Sequence, residues 1–184
     1  MSIFENQTFE NLTSLAKAKY DDCTFVNCHF TEADFSEYKF LECTFEGCDL
    51  SNVQLNLTAF NSVIFRNCKL LGLRFEDCHH TFLALDFANC TLDFSSFYQL
   101  KLPKTTFDNC QLHDVDFSEA DFSKSNFNNC DLQAAIFDHT NLEGADMRTA
   151  YNFDIHPVQN RIKKARFSNE NIIGLLRHFD IKIN

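Results

Sequence analysis

At 184 residues the chain has room for one domain with a sizeable core, and its 26 acidic against 16 basic residues leave a net charge of −10. That charge argues against nucleic-acid phosphates or an anionic membrane as the main partner and favours a basic one. No apolar run approaches the ~18 residues a spanning helix needs. Met1 to Glu5 carry neither the basic nor the apolar region of a secretory signal, so a soluble, cytoplasmic protein is expected.

In chain order, residues 1–19 show only Phe4 and Phe9 at a spacing of five and are read as an N-terminal cap. From Tyr20 the period of five is continuous through Phe25, Phe30, Phe35, Phe40, Phe45, Leu50, Leu55, Phe60, Phe65, Leu70 and Phe75. A two-residue slip follows near 76–81. The series then resumes at Phe82 and runs by fives from Phe87 to Leu142 and Met147, so that Phe or Leu fills 24 of 26 positions. Five fits neither an amphipathic helix nor an alternating strand. A chain holds it by turning a corner at every repeat, each unit forming one side of a coil.

A second series lies two residues before the first and holds small residues, including Ala18, Val53, Thr58, Ser95, Ser125 and all nine cysteines. Two residues apart on an extended segment is the same face, so the cysteines are expected to point inward as small hydrophobes. Their odd number and the lack of any C-x2-C pair argue against a disulfide framework or a zinc site.

Stretches such as Cys23-Thr-Phe-Val-Asn-Cys-His-Phe30, Val115-Asp-Phe-Ser-Glu-Ala-Asp-Phe122 and Ala145-Asp-Met147 resemble the pentapeptide-repeat pattern A(D/N)LxX. The resemblance covers residues 20–147 and implies an all-β solenoid, a right-handed quadrilateral β-helix with four repeats per coil. Folding the sequence at four repeats, with the slip as a bulge, puts Cys28, Cys48, Cys68, Cys90, Cys110 and Cys130 in one column. Asn27, Asn67, Asn89, Asn109 and Asn129 also align, which suggests an amide ladder at one corner.

Beyond Met147 the pattern stops, and residues 148–184 are read as a capping or dimerisation module. Ser168 looks like an N-cap for a short C-terminal α-helix with the apolar stripe Ile172, Leu175, Leu176 and Phe179, and Ile181 and Ile183 alternate as in a strand. The run from Phe153-Asp-Ile-His-Pro157 through Lys163-Lys-Ala-Arg-Phe-Ser168 to Leu176 resembles the C-terminal module of Qnr-type proteins. That resemblance implies an end-to-end homodimer through the stripe; a monomer with a capping helix is the other reading.

Cys78-His79-His80 is the one cluster hinting at metal or nucleophilic chemistry, and it lies where the repeat slips, without further ligands at a recognisable spacing. No hydrolase, P-loop or dinucleotide motif is present, so neither catalysis nor a cofactor is expected. Surface charge is more telling. In the four-repeat register the side of Phe35, Leu55 and Phe75 presents Asp34, Glu37, Glu76, Asp77, Asp116, Glu119 and Asp138 against Arg74. The cysteine-column side presents Glu32, Asp49, Asp93, Asp114 and Asp131 against Lys69. That is one carboxylate per ~2.5 Å of solenoid at ~4.8 Å per rung, close to the ~1.7 Å charge spacing of duplex DNA. The Qnr resemblance implies a non-enzymatic DNA mimic that binds DNA gyrase or topoisomerase IV and confers quinolone resistance. The chain departs from the larger Qnr proteins in lacking their two projecting loops. The alternative is an interaction scaffold unrelated to topoisomerases.

Overall fold

The computed structural model describes residues 2–179 and 181–182. Its strands are β1 (Ser2–Glu5), β2 (Thr8–Glu10), β3 (Ala18–Asp21), β4 (Thr24–Val26), β5 (Lys39–Leu41), β6 (Thr44–Glu46), β7 (Ala59–Asn61), β8 (Val63–Arg66), β9 (Leu85–Ala88), β10 (Thr106–Asp108) and β11 (Asn126–Asn128). Every pairing is parallel. Strands β1, β3, β5 and β7 stack along one side, and β2, β4, β6, β8, β9, β10 and β11 along the next. The other two sides are held by rows of single bridges, such as Asp49↔Lys69↔Thr91↔Gln111↔Asp131 and Arg74↔Ser96↔Asp116↔Ile136. This is the four-sided β-solenoid that the period of five predicts.

From β3 onward the paired residues stand four repeats apart, as in Tyr20↔Phe40, Phe40↔Phe60 and Phe107↔Phe127. The slip lengthens this register once, at Phe65↔Phe87. The inward aromatic side chains stack rung on rung. Phe25, Phe45, Phe65, Phe87, Phe107 and Phe127 form one column with centroids 4.6 to 5.5 Å apart, and Phe75, Phe97, Phe117 and Phe137 a second. These two columns, on opposite sides of the coil, meet edge to face across the core, as at Phe97–Phe107, where the rings stand at 86°. Both arrangements suit the ring quadrupole.

The small inward position does more than fill space. Its side chain donates a hydrogen bond to the carbonyl of a large residue one coil below: Thr58 Oγ1 to Phe35 O at 2.7 Å, Ser95 Oγ to Leu70 O at 2.7 Å, Thr140 Oγ1 to Phe117 O at 2.8 Å. The thiols sit against the same carbonyls, Cys48 Sγ 3.3 Å from Phe25 O and Cys68, Cys90 and Cys130 3.4 Å from those of Phe45, Phe65 and Phe107, and share their one proton with the carbonyl two residues earlier, at 3.1 to 3.5 Å. A carbonyl that turns into the core at each corner keeps a second acceptor site, and a small donor satisfies it. All nine cysteines are free and buried. Burial pushes the Cys43 thiol up to about 12.

The corner itself falls two residues after the large residue and is left-handed. Twenty-five non-glycine residues have φ between 49° and 69°, nine of them Asn. Asn tolerates this region better than most residues because its short amide can bond locally. This backbone requirement accounts for the aligned asparagines better than the expected amide ladder does. One direct rung of that ladder forms, Asn129 Nδ2 to Asn109 Oδ1 at 3.2 Å.

Three further expectations are corrected. Phe82, placed in the inward series, is 77 % exposed at φ 62°. The two extra residues shift the alternation, so that Leu83 packs on the core and Leu85 and Phe87 are buried while Phe82 faces out. At the ends, stacking runs further than the apolar series. Phe4 and Phe9 stack on Tyr20 and Phe25 at 5.2 Å across a first coil nearly one repeat shorter than the rest. The Tyr20 and Tyr38 hydroxyls close that coil on the Ala16 and Leu15 carbonyls. Beyond Met147 the bridges Asp131↔Tyr151, Asn141↔Arg161 and Asp146↔Arg166 carry the coil on.

The C-terminal α-helix is replaced by two 3-10 turns, Ile172–Leu175 and Arg177–Phe179. Ser168 Oγ does accept the Asn171 amide at 3.3 Å, as a cap would. Docking then overrides the helix. The Asn171 side-chain amide donates to Met147 O at 2.7 Å and Ala150 O at 2.8 Å, and Gly174 O accepts Ile155 N at 2.9 Å. Groups of the terminal coil thereby find partners in this segment. Ile181 has no regular structure, and Ile183 lies outside the described residues.

Candidate functional site

The side carried by Phe35, Leu55, Phe75, Phe97, Phe117 and Phe137 holds all seven acids expected there, each in a local arrangement that follows from the repeat. Asp34 and Asp116 follow buried or half-buried positions on the rung and turn back, their Oδ1 accepting the backbone N–H of Ser36 and Ser118 at 2.8 Å. The two bonds from Ser36 hold the Asp34 carboxyl below its usual range. Glu37 and Glu119 occupy left-handed corners. Glu37 pairs with Lys17. Glu119 accepts from Tyr98 Oη at 3.2 Å and from Gln99 Nε2 at 2.7 Å. Glu76 and Asp77 form a 3-10 turn over Arg74, whose Nε lies 3.3 Å and 3.4 Å from their carboxylates. Asp138 contacts His139 Nδ1 at 2.8 Å.

The adjoining side carries Glu32, Asp49, Asp93, Asp114 and Asp131 as expected, with Lys69 bridged between Asp49 and Thr91. His113 stands between two of them, Nδ1 3.7 Å from Asp93 Oδ2 and Nε2 3.0 Å from Asp131 Oδ2. Partial burial pushes the Asp131 carboxyl up, but hydrogen bonds from His113, Asn152 and Gln133 outweigh it and the net shift is downward. The Asp131 carboxyl is therefore ionised well below neutral pH. Half of the bases, Lys101, Lys104, Lys124, Arg148, Arg161, Lys163, Lys164 and Arg166, lie instead on the last coils. Of these, Arg148 and Arg166 pair with Asp146, at 2.8 Å and 2.7 Å.

Among the dimerisation residues expected, Ile172 and Phe179 are exposed, Leu176 is half-buried and Leu175 is turned into the terminal coil. His79 and His80 are exposed, and His80 Nε2 lies 2.9 Å from the Glu76 carbonyl. Cys78 is buried, and burial followed by the charges of Asp77 and Glu76 raises its pKa. Among the described residues no three or more His, Cys, Asp or Glu converge to hold a metal, and no helix is long and apolar enough to cross a membrane.

Two family models match the sequence of these coils. One, a pentapeptide repeat region, fits residues 18–85, and the other, eight copies of the pentapeptide repeat, fits residues 110–149. The chain is a pentapeptide-repeat protein. Two trypsin-treated variants of QnrB1, a plasmid-mediated fluoroquinolone resistance protein, superpose with a TM-score of 0.66 at 18% identity, over 99% of this chain and 97% and 98% of theirs. HetL, a pentapeptide-repeat protein involved in heterocyst differentiation regulation in the cyanobacterium Nostoc, matches with a TM-score of 0.44 at 14% identity, over 89% of this chain and 84% of that one. At these identities the likeness is one of fold. No curated protein sequence matches.

Two features of the pentapeptide coils escape sequence reasoning. Lys17 reaches the acidic side because it stands four repeats before Glu37 in the same register, although it precedes the start of the continuous apolar series. Phe94, Tyr98 and Ile136 stand exposed on or beside the same side, at 69 %, 38 % and 51 %. Their signal is a large apolar residue in an outward register, visible once the corner position is known.

Proposed function

We propose that this protein is a non-catalytic binding protein whose two acidic sides engage DNA gyrase or topoisomerase IV in place of DNA. The observation that carries this is charge segregation: twelve carboxylates on two adjacent sides, against Lys17, Lys69 and Arg74. Rigid rungs hold them in rows, and a basic cleft that accepts duplex DNA is complementary to such rows. The fold likeness to a fluoroquinolone resistance protein supports the same reading and makes protection from quinolones its expected consequence.

Replacing Asp34, Glu37, Asp116 and Glu119 by Asn and Gln should weaken gyrase binding at least tenfold, flatten its salt dependence and reduce protection from a fluoroquinolone, with the circular dichroism spectrum unchanged. Asn keeps the turn-capping bonds to Ser36 and Ser118. A matched change of Lys19, Lys39 and Lys124 to Gln should do much less. Wild-type protein that binds neither enzyme at micromolar concentration would refute the reading and leave an interaction scaffold.

Assembly belongs to the same proposal. Ile172, Ile173 and Phe179 are exposed around the half-buried Leu176 at the end of the stack, an apolar surface suited to a second copy across a two-fold axis. Sedimentation at tens of micromolar should show a dimer, and Leu176→Asp a β-rich monomer, because a desolvated charge without a partner is not tolerated there. A monomeric wild type refutes the dimer.

A further inference from the structure

The left-handed corners are filled mostly by Asn, Asp, Glu, Gln, Gly, Lys or Ser, the exceptions being Leu57, Phe82, Phe94, Ala134 and His139. Phe94 departs from this in two ways at once. Its φ is 62°, a region where a bulky side chain strains the backbone, and its ring is 69 % exposed. The same corner column holds Asn52 above and Asp114 below, so polar residues are at home in this position. Gly72, one rung above, bears no side chain to cover the ring, and at φ 66° its missing Cβ would stand 2.5 Å from Asn52 Oδ1. Strain and exposure both act against folding, and the core recovers neither.

The surroundings supply a reason to keep it. Phe94 sits at the corner shared by the two acidic sides. Tyr98, on the same rung, is tied through its hydroxyl to Glu119 at 3.2 Å, and Ile136 continues the bridged row Ser96↔Asp116↔Ile136. Asp93 precedes Phe94 in the chain, Asp114 holds the next place in its corner column, and Asp116, Glu119 and Asp138 lie on the side that Tyr98 and Ile136 share. Imitation of a phosphate backbone needs charge alone. An exposed aromatic group ringed by charge is the anatomy of a protein–protein anchor, in which a few apolar side chains carry the affinity and the rim steers.

We infer that Phe94, with Tyr98 and Ile136 exposed further along the same side, is the apolar anchor of a protein contact on the acidic sides, and that it enters an apolar pocket set between Lys or Arg side chains of the partner. This rests on reading the acidic sides as a partner-binding surface and adds what charge does not specify, a fixed point of attachment.

Phe94→Asn separates the two roles of the residue, because it relieves the corner while removing the anchor. The variant should melt roughly 2–4 °C higher than wild type and bind gyrase at least tenfold more weakly. Phe82→Asn is the control. Phe82 has the same φ of 62° but lies on the side of β7, where His79 N bonds Thr58 O and Ala84 N bonds Phe60 O, so this change should raise the melting temperature and leave binding intact. Undiminished binding by Phe94→Asn overturns the inference, as does an equal loss in Phe82→Asn or a lower melting temperature for Phe94→Asn. If wild-type protein does not bind gyrase, the topoisomerase reading fails, and a second probe still decides the anchor. A helical peptide with Arg on one face and Leu on the other, titrated into 15N-labelled protein, should shift amide signals around residues 94, 98 and 136 and lose that effect with Phe94→Asn. Shifts elsewhere, or none, overturn it.

Discussion

Phe97→Ala is expected to lower the unfolding free energy by about 3–5 kcal/mol, the range for emptying a rigid aromatic site. Phe97 is fully buried, with Phe75 stacked at 4.6 Å on one side and Phe117 at 5.5 Å on the other. Phe87, Phe107 and Phe122 meet it edge-on at 5.6 to 5.9 Å. Collapse into the void is opposed by the rungs, whose backbone bonds fix the spacing between coils. A solenoid coil touches only its neighbours, so a weakened middle coil also divides the stack into two halves that no longer unfold as one. Urea denaturation followed by far-ultraviolet circular dichroism should show a lower midpoint and a shallower slope. Phe137→Ala, near the end of the same column and 6 % exposed, should cost less and keep the wild-type slope.

Gly174→Val should detach the C-terminal segment. A Cβ at Gly174 would stand 2.4 Å from Phe153 Cε2 and 2.6 Å from the Phe153 carbonyl oxygen. Phe153 is itself buried and its carbonyl belongs to the last coil, so neither can yield cheaply. The segment can yield instead, by giving up the Ile155 N to Gly174 O bond and the Asn171 amide bonds to Met147 and Ala150. Overpacking of this kind costs about 1–3 kcal/mol, and here it is capped by the free energy of docking. Trypsin should cut rapidly at Arg177 in the variant and slowly in wild type, while the β signal is unchanged. If the dimer forms through Ile172, Leu176 and Phe179, the same variant should sediment as a monomer.

Much of the fold can be read from the residues because each coil repeats the same demand. Phe and Leu at a period of five specify the sides, and the cysteine column specifies four repeats per coil. What escaped depends on backbone geometry that side-chain polarity does not encode. Phe82 sits on the apolar series by spacing, yet the lengthened register at the slip gives its place to Leu83 and Leu85. The C-terminal stripe has helical spacing, but the carbonyls of Met147 and Ala150 demand the Asn171 amide, and that contact bends the segment into 3-10 turns. Asn27 and its column looked like a ladder because alignment was visible and φ was not. On the acidic sides the charges were legible, whereas the anchor at Phe94 required knowing that its corner is left-handed and outward.

The thiols that lie against carbonyls of their own and the neighbouring coil have a spectroscopic consequence. The S–H stretch absorbs where water and amide bands are weak, and donation to a carbonyl lowers its frequency. Cys48, Cys68, Cys90 and Cys130 each place such an oscillator on a different rung of one column. Retaining a single one of them, with Ser at the other eight cysteines, would give one infrared band that reports whether that rung is closed. Its replacement by the S–D band in heavy water would time the opening of the solenoid coil by coil, without any label in the core.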